Sequence, residues 1–343
     1  MPVKKRPTLH DVASATGVSY QTVSRVVNQH PHVAAATRAR VLQAIRQLDY
    51  QPNTIARSLV TDRTHQIGII SYGTQHFGPA QVLRHVEATF YQQGYDLILK
   101  TLHRLDLEAL AVAIRELRSR AVAGLVMITP ILELEPTRLK SLCSATPFVL
   151  TNVDPSPTLP SVIIDQYQGA QLATEHLIAL GHQHIAEISG PPHWSDAKLR
   201  RQGVADTLQR HGLPQATSVT GDWGAQSGYH AVQQLLTHNA PFTALIAAND
   251  QMALGAIAAL NDYGLKVPED VSVVGFDDLP EAAFFRPPLT TIRQDFHHIG
   301  SVVAQYLSEQ ISHPNTTQTQ LVITPTLTIR HSTSAVGKGG KRH

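Results

Sequence analysis

Two short apolar stripes separated by a glycine break open this chain, and few folds accommodate that order. Thr8-Leu9-His10-Asp11-Val12-Ala13 leads to Gly17, and Ser19-Tyr20-Gln21-Thr22-Val23-Ser24-Arg25-Val26-Val27-Asn28 follows. Two short amphipathic helices joined by a tight turn read as a helix-turn-helix, the second helix being sized for the major groove of duplex DNA. Thr8 and Ser19 are placed to cap the two helices, with Leu9, Val12 and Ala13 facing inward from the first and Val23, Val26 and Val27 from the second. A third helix is predicted from about Thr37 to Leu48, with Val41, Leu42, Ile45 and Leu48 on one side, so three stripes can close a small core.

Charge agrees with this reading. Residues 1–64 carry nine Lys/Arg against three Asp/Glu, and residues 65–336 carry sixteen against twenty-three, so a head of +6 precedes a body of −7 in a chain whose net charge is only +2. A positive field gathered at one end can replace the counterions condensed on a phosphate backbone, and such binding weakens steeply with salt. At the front of the second helix, Tyr20, Gln21 and Arg25 are the candidates for base and phosphate contact, since Gln pairs with adenine and Arg with guanine in the major groove. An ordinary exposed helix edge is the competing account.

A length of 343 residues exceeds what one compact core usually fills and favours two or three domains. The opening Met1-Pro2-Val3-Lys4-Lys5-Arg6 runs straight into the first helix, so no secretory leader is expected, and no segment approaches the roughly 18 apolar residues of a membrane span. Cys143 is the single cysteine, which excludes an internal disulfide and a Cys-based zinc finger and fits a reducing cytoplasm. After Pro52, the segment Asn53-Thr54-Ile55-Ala56-Arg57-Ser58-Leu59-Val60 has helical spacing with Asn53 as its cap; it is too short to be stable alone, which fits folding on contact with a partner.

From Gln66 onward, short apolar runs alternate with longer amphipathic stretches. Ile67–Ile70, Leu97–Leu99, Leu125–Ile128, Val162–Ile164, Ile185–Ile188, Leu245–Ala248 and Val271–Phe276 read as strands, and Val82–Gln93, Ala170–Leu180 and Ala253–Tyr263 as helices between them. Such alternation predicts an α/β body of parallel sheets, and about 270 residues of it imply two lobes. Ser71, Asp165, Asn249-Asp250 and Asp277-Asp278 follow strand ends, where open α/β sheets form their ligand crevice.

Arg200, in Asp196-Ala-Lys-Leu-Arg200-Arg201, can fork hydrogen bonds to sugar hydroxyls or a carboxylate, or can be one of several cations on a solvated helix face. Trp223, between loop glycines in Gly221-Asp222-Trp223-Gly224, suits the apolar face of a sugar ring and suits equally well the edge of a core. Nineteen histidines contain no His-Glu-x-x-His or Cys/His set, so no metal site is expected, and Ser195-Asp-Ala-Lys198 lacks the partner motifs of acyl-transfer enzymes. Dinucleotide, phosphate-loop and Gly-x-Ser-x-Gly motifs are also missing, so no cofactor or catalytic residue is proposed.

Taken with Gly17-Val-Ser-Tyr-Gln-Thr-Val-Ser-Arg-Val-Val-Asn28, a series of further motifs runs down the chain: Tyr50-Gln-Pro-Asn53, Glu175-His-Leu-Ile-Ala-Leu-Gly-His182, Ala248-Asn-Asp-Gln-Met-Ala-Leu-Gly255, Ser272-Val-Val-Gly-Phe-Asp-Asp278 and Pro287-Pro-Leu-Thr-Thr-Ile-Arg-Gln-Asp295. By these the chain, from about Thr8 to Arg330, resembles the lactose repressor and galactose repressor family of bacterial transcription regulators, and its lactose-repressor branch most closely. The resemblance implies a three-helix helix-turn-helix head over residues 1–52, a hinge helix and linker over 53–64, and a two-lobed core like periplasmic sugar-binding proteins over 65–336. One lobe would span about 65–164 and 294–323 and the other about 165–293 and 324–336, with three chain crossings between them; the tail at 337–343 is short, basic and glycine-rich and reads, on composition, as disordered.

On the same resemblance, Tyr20, Gln21 and Arg25 read bases, with Asn28 and His32 nearby. Thr8, Ser19, Ser24, Thr37 and Asn53 fall on positions that touch the DNA backbone, while Ala56 belongs to the hinge helix whose Leu59 wedges into the minor groove. In the core, Ser71, Asn152, Arg200, Trp223, Asn249, Asp277, Gln294 and Phe296 are the effector-binding candidates. Asn152 stands where the branch has a carboxylate and Ile128 where it has an amide, so the resemblance implies a sugar or glycoside effector without specifying a galactoside. No leucine heptad follows Arg330, so a homodimer on a pseudo-palindromic operator is expected, with no tetramer and no membrane contact. Two rivals are a solute-binding protein feeding a transporter, which the basic head argues against, and a sugar-acting α/β enzyme using Asp277 and Asp278, which point to opposite faces if both lie on a strand.

Overall fold

The computed structural model describes residues 7–27, 30–50, 64–130, 135–151, 158–238, 240–314 and 320–336. Asn28, Asn53, Ala56, Leu59 and Asn152 lie outside these described residues, as do the expected hinge helix and the 337–343 tail. The chain separates into two compact units, Met1–Thr64 and His65–His343.

In the first unit, α1 (Leu9–Thr16), α2 (Tyr20–Val27) and α3 (Ala35–Leu48) surround Val12, Val23, Val26, Val41, Ala44 and Tyr50. A capping box starts α1: the Asp11 amide donates to Thr8 Oγ1, and the Thr8 amide donates to Asp11 Oδ2 at 2.7 Å. Gly17 ends it at φ 67, a left-handed backbone that glycine adopts without a Cβ penalty. Ser19 Oγ accepts from the Thr22 amide at 3.2 Å, as expected of a cap for α2. The third helix begins two residues before the predicted start, and its inner face differs from the expected one. Ala44 is buried where Leu42, 42% exposed, turns to solvent, because Val41, Ala44 and Leu48 hold the three- and four-residue spacing that faces α1.

The second unit contains two lobes. In the first lobe, β1 (Gln66–Tyr72), β2 (Asp96–Leu102), β3 (Gly124–Ile128) and β4 (Phe148–Thr151) form a parallel sheet in the order β2-β1-β3-β4. A further parallel pair, β5 (Val162–Ile164) with β11 (Leu321–Ile323), adjoins it through a Leu150–Ser161 bridge. One face is covered by α4 (Phe77–Gln92) and α11 (Phe296–Ser312), which bury Val86, Phe90, Val303 and Leu307 against Ile67 and Ile69. The other is covered by α5 (Leu107–Ser119) and α6 (Pro136–Cys143), which bury Leu110, Ile114, Leu117 and Leu139. Cys143 lies in that layer with its thiol pushed up to about 12 by burial, so it remains an unreactive packing group at neutral pH.

The second lobe is a six-stranded sheet of β6 (Ile185–Ser189), β7 (Thr217–Thr220), β8 (Ala244–Ala247), β9 (Ser272–Asp277), β10 (Thr290–Arg293) and β12 (Thr326–Thr328), in the order β12-β10-β9-β8-β6-β7. All neighbours are parallel except β12, which runs antiparallel to β10. Helices α7 (Gln166–Ala179) and α8 (Ser195–Arg210) pack on one face, and α9 (Ala225–Thr237) and α10 (Asp250–Asp262) on the other. Strands covered on both faces are mostly apolar, which is why β3 and β8 read as unbroken runs and β9 as one interrupted by Ser272. Sequence patterning missed β4, β7, β10, β11 and β12, each three or four residues long. The chain passes from lobe to lobe at Asp165, at Gln294-Asp295 and at Thr324-Pro325.

Candidate functional site

Those crossings set the site. One cavity within the second unit is lined by His76, Phe77, Gly78, Pro79, Val82, Ile163, Ile164, Phe296 and Ile299 of the first lobe, Trp194, Asp196, Arg200, Trp223, Asn249 and Asp277 of the second, and Gln166 and Gln294 at two crossings. It encloses about 590 Å³ of space between atoms, the open solvent at its mouth included.

Four side chains close a ring inside it. Arg200 Nε donates to Gln166 Oε1 at 2.9 Å, Gln166 Nε2 donates to Gln294 Oε1 at 3.0 Å, Gln294 Nε2 donates to Asp277 Oδ1 at 2.5 Å, and that oxygen lies 3.7 Å from Arg200 Nη2. Arg200 Nη1 also donates to the Ala248 carbonyl, and the guanidinium lies 3.7 Å above the Phe276 ring centroid. Burial lowers the pKa of Arg200, with Asp277, Asp196 and Asp250 opposing the change. Asp277 is pushed up to about 6, chiefly by burial, against the pull of Arg200 and the Gln294 hydrogen bond.

Around the ring the backbone is held in sparsely populated conformations. Trp223 has φ 76, Asp277 φ 112 and Asp278 φ 55, a strain of about 1–3 kcal/mol each that the surrounding structure must offset. Asn249 holds the Trp223 loop: it caps α10 by accepting from the Met252 amide at 2.9 Å and donates Nδ2 to the Trp223 carbonyl at 3.0 Å. Trp194 packs edge-on to Trp223 at 5.6 Å between ring centroids and meets Tyr72 and His76 of the first lobe. Gly73 makes room for it, since a Cβ there would come within 2.6 Å of the Trp194 ring. Burial keeps the His76 pKa below its ordinary value, partly opposed by Asp222.

Of the effector candidates, Arg200, Trp223, Asn249, Asp277, Gln294 and Phe296 share this cavity. Ser71 does not line it; it is fully buried at the end of β1, with no hydrogen-bond partner for its hydroxyl among the described residues. Gln166, Trp194, Asp196 and His76 line the cavity without having been singled out by the sequence. For Gln166 the sequence carries a signal, because it adjoins Asp165 at a strand end. Asp278, the other half of the suggested carboxylate pair, is bound by Arg330 Nη2 at 2.6 Å, while Asp277 faces Gln294 and Arg200. Among the described residues, no group of three or more His, Cys, Asp or Glu could hold a metal ion, and no helix is long and apolar enough to cross a membrane.

In the first unit, Tyr20, Gln21 and Arg25 are exposed and Ser24 half-buried; Gln21, Ser24 and Arg25 lie on the side of α2 away from the buried Val23 and Val26, and Tyr20 lies at the edge beside Val23. Tyr20 is 46% exposed and its ring is held 4.8 Å from that of His10 on α1. Thr8, Ser19 and His32 are exposed and Thr37 is half-buried.

Residues 8–53 match the family model of bacterial regulatory proteins, lacI family, and residues 174–333 match that of the periplasmic binding protein-like domain. The chain is 38% identical to the lactose operon repressor of Escherichia coli (strain K12) over 296 residues, 86% of this chain and 82% of that protein. It is 36% identical over 334 residues to the HTH-type transcriptional repressor PurR of Haemophilus influenzae (strain ATCC 51907 / DSM 11121 / KW20 / Rd), 96% of this chain and 99% of that one. Among solved structures, a lac repressor dimer bound to operator and the anti-inducer ONPF superimposes with a TM-score of 0.91 at 36% identity, covering 96% of this chain and 100% of that chain.

Proposed function

The chain belongs to the LacI family of bacterial regulatory proteins, and from that premise we propose which of its residues carry the family's work. It is a sequence-specific DNA-binding repressor whose operator affinity is controlled by a small sugar or glycoside, and it acts as a homodimer. Tyr20, Gln21 and Arg25 read base edges from α2, with Asn28 and His32 beside them. Thr8, Ser19, Ser24, Thr37 and Asn53 hold phosphates, and Ala56 and Leu59 belong to a hinge segment at 53–64 that grips the minor groove. A repressor works where its operator is, so we place it in the bacterial cytoplasm at the nucleoid. Its relatives are transcriptional repressors, and we assign it no catalytic role.

The observation that carries the effector assignment is the closed ring of Arg200, Gln166, Gln294 and Asp277 beside Trp223. It offers donors and acceptors suited to sugar hydroxyls next to an apolar ring face. Trp223 Nε1 is buried with no acceptor among the described residues, which favours a ligand oxygen as its partner. The test is operator selection from random duplexes by the full chain, followed by titration with sugars. Arg200→Ala is expected to keep operator affinity within about twofold and to weaken effector binding by about a hundredfold or more, the scale of losing hydrogen bonds from a buried charge. Unchanged sugar affinity in calorimetry would remove Arg200 from the site.

A further inference from the structure

We infer that the occupant of the core cavity is an uncharged sugar, and that the site discriminates against phosphorylated and carboxylated sugars, with Asp196 as the discriminating residue. This rests on the effector reading above. Arg200 is the single Lys or Arg among the described residues lining the cavity, and the undescribed stretches of the core, 131–134, 152–157, 239 and 315–319, contain none. Each nitrogen of Arg200 already has a partner, Nε with Gln166, Nη1 with the Ala248 carbonyl and Nη2 facing Asp277 at 3.7 Å, which offsets its charge while the second N–H of Nη1 and of Nη2 remains for a hydroxyl. Its charge is further shared with Asp196 and Asp250. His76 adds little positive charge near neutrality, because burial holds its pKa down.

Against one guanidinium the wall sets two carboxyl groups, Asp196 and Asp277. Asp196 sits in the first turn of α8, a sixteen-residue helix with no side-chain cap. The amides at a helix start are where a protein most readily holds an anion, and here a carboxylate of the chain occupies that turn. A phosphate or carboxylate entering would meet like charge in a buried space with no uncommitted cation to offset its lost hydration. A hydroxyl has no such penalty; it donates to a carboxylate and accepts from an amide or indole N–H. The rings of Trp194 and Trp223, inclined to each other by 70°, supply apolar wall for the ring carbons.

The experiment uses the full chain with matched probes: ribose and ribose 5-phosphate, glucose, glucose 6-phosphate and glucuronate, galactose, galactose 6-phosphate and galacturonate, lactose and cellobiose. Thermal shift finds binders and calorimetry measures them, in wild type and Asp196→Asn. At least one neutral sugar is expected to bind, with its charged counterpart weaker by more than about tenfold, and Asp196→Asn is expected to narrow that gap by about tenfold. A phosphate or uronate that binds wild type as tightly as its neutral parent overturns the inference and leaves the effector reading standing. A gap unmoved in a folded Asp196→Asn chain overturns the role of Asp196. Binding by no member of the set, in a chain that still selects an operator, overturns the effector reading along with the inference.

Discussion

Asp277 carries two demands that conflict. It ends β9 at φ 112, enclosed by Arg200, Gln294 and the field of Asp196, and burial pushes it up to about 6 from 3.8. A carboxyl whose folded pKa lies above its unfolded value favours the fold in acid, and that contribution disappears as pH rises from about 4 through about 6. The shift corresponds to roughly 3 kcal/mol, withheld from the fold at neutral pH. Sugar binding has the opposite sign, because the ionised carboxylate is the stronger acceptor. Effector affinity is therefore expected to hold from pH 8 to 7 and to fall as pH drops through about 6, while unliganded stability gains from this group over the same descent. Calorimetry across pH 5 to 8 checks the first, and Asp277→Asn should flatten the step. A step that survives in Asp277→Asn would assign it to another group.

Helices α9 and α10 approach through glycine. A Cβ at Gly255 would fall 1.7 Å from the Ala225 carbonyl oxygen, and one at Gly228 would fall 2.1 Å from that of Met252. Ala in place of Gly gains about 1 kcal/mol in an exposed helix interior, but here the obstruction is backbone and cannot swing aside. The clash is the larger effect, so Gly255→Ala is expected to lower stability by about 1–3 kcal/mol, read as a lower Tm; a raised Tm would mean that the two helices separate without cost. How far elements can be read from sequence follows the same logic of covering. Val271–Phe276 and Leu245–Ala248 are legible because sheets covered on both faces favour runs that are apolar or, with Ser272, nearly so. Thr217–Thr220 is polar and lies at a sheet edge, and it left no such signal. Leu42 and Ala44 exchanged faces because a three-helix head offers too few turns for hydropathy alone to fix the inner one. In the cavity, spacing alone leaves two accounts each for Arg200 and Trp223; burial removes the solvated helix face for Arg200, whereas Trp223 both lines the cavity and belongs to the core. His76 and Trp194 were illegible because their contact depends on how the two lobes close across the cavity, which no local pattern encodes.

At the scale of the whole chain the +6 head and −7 core divide two tasks that must communicate through free energy. An effector alters operator affinity only by the difference in its own affinity for the operator-competent and incompetent arrangements, and the operator alters effector affinity by the same factor. Couplings of this kind run from about 5-fold to 150-fold. The core contains an element suited to create that difference. Gln166 and Gln294 stand at two of the three crossings between lobes, and their hydrogen bonds join those crossings to Arg200 and Asp277 in the cavity. A ligand that engages Arg200 or Asp277 competes for the ring and so acts on two of the segments that join the lobes. Gln166→Ala removes one bond to each neighbour while leaving the α2 face untouched. Operator affinity without effector is expected to stay within about threefold of wild type, whereas the change produced by saturating effector is expected to shrink by about fivefold or more. Saturation matters, since Gln166 also lines the cavity and its loss is expected to weaken binding itself. Fluorescence anisotropy of a labelled operator, with and without saturating sugar, measures both numbers. An undiminished response in Gln166→Ala would mean that the ring positions the ligand but does not carry its message.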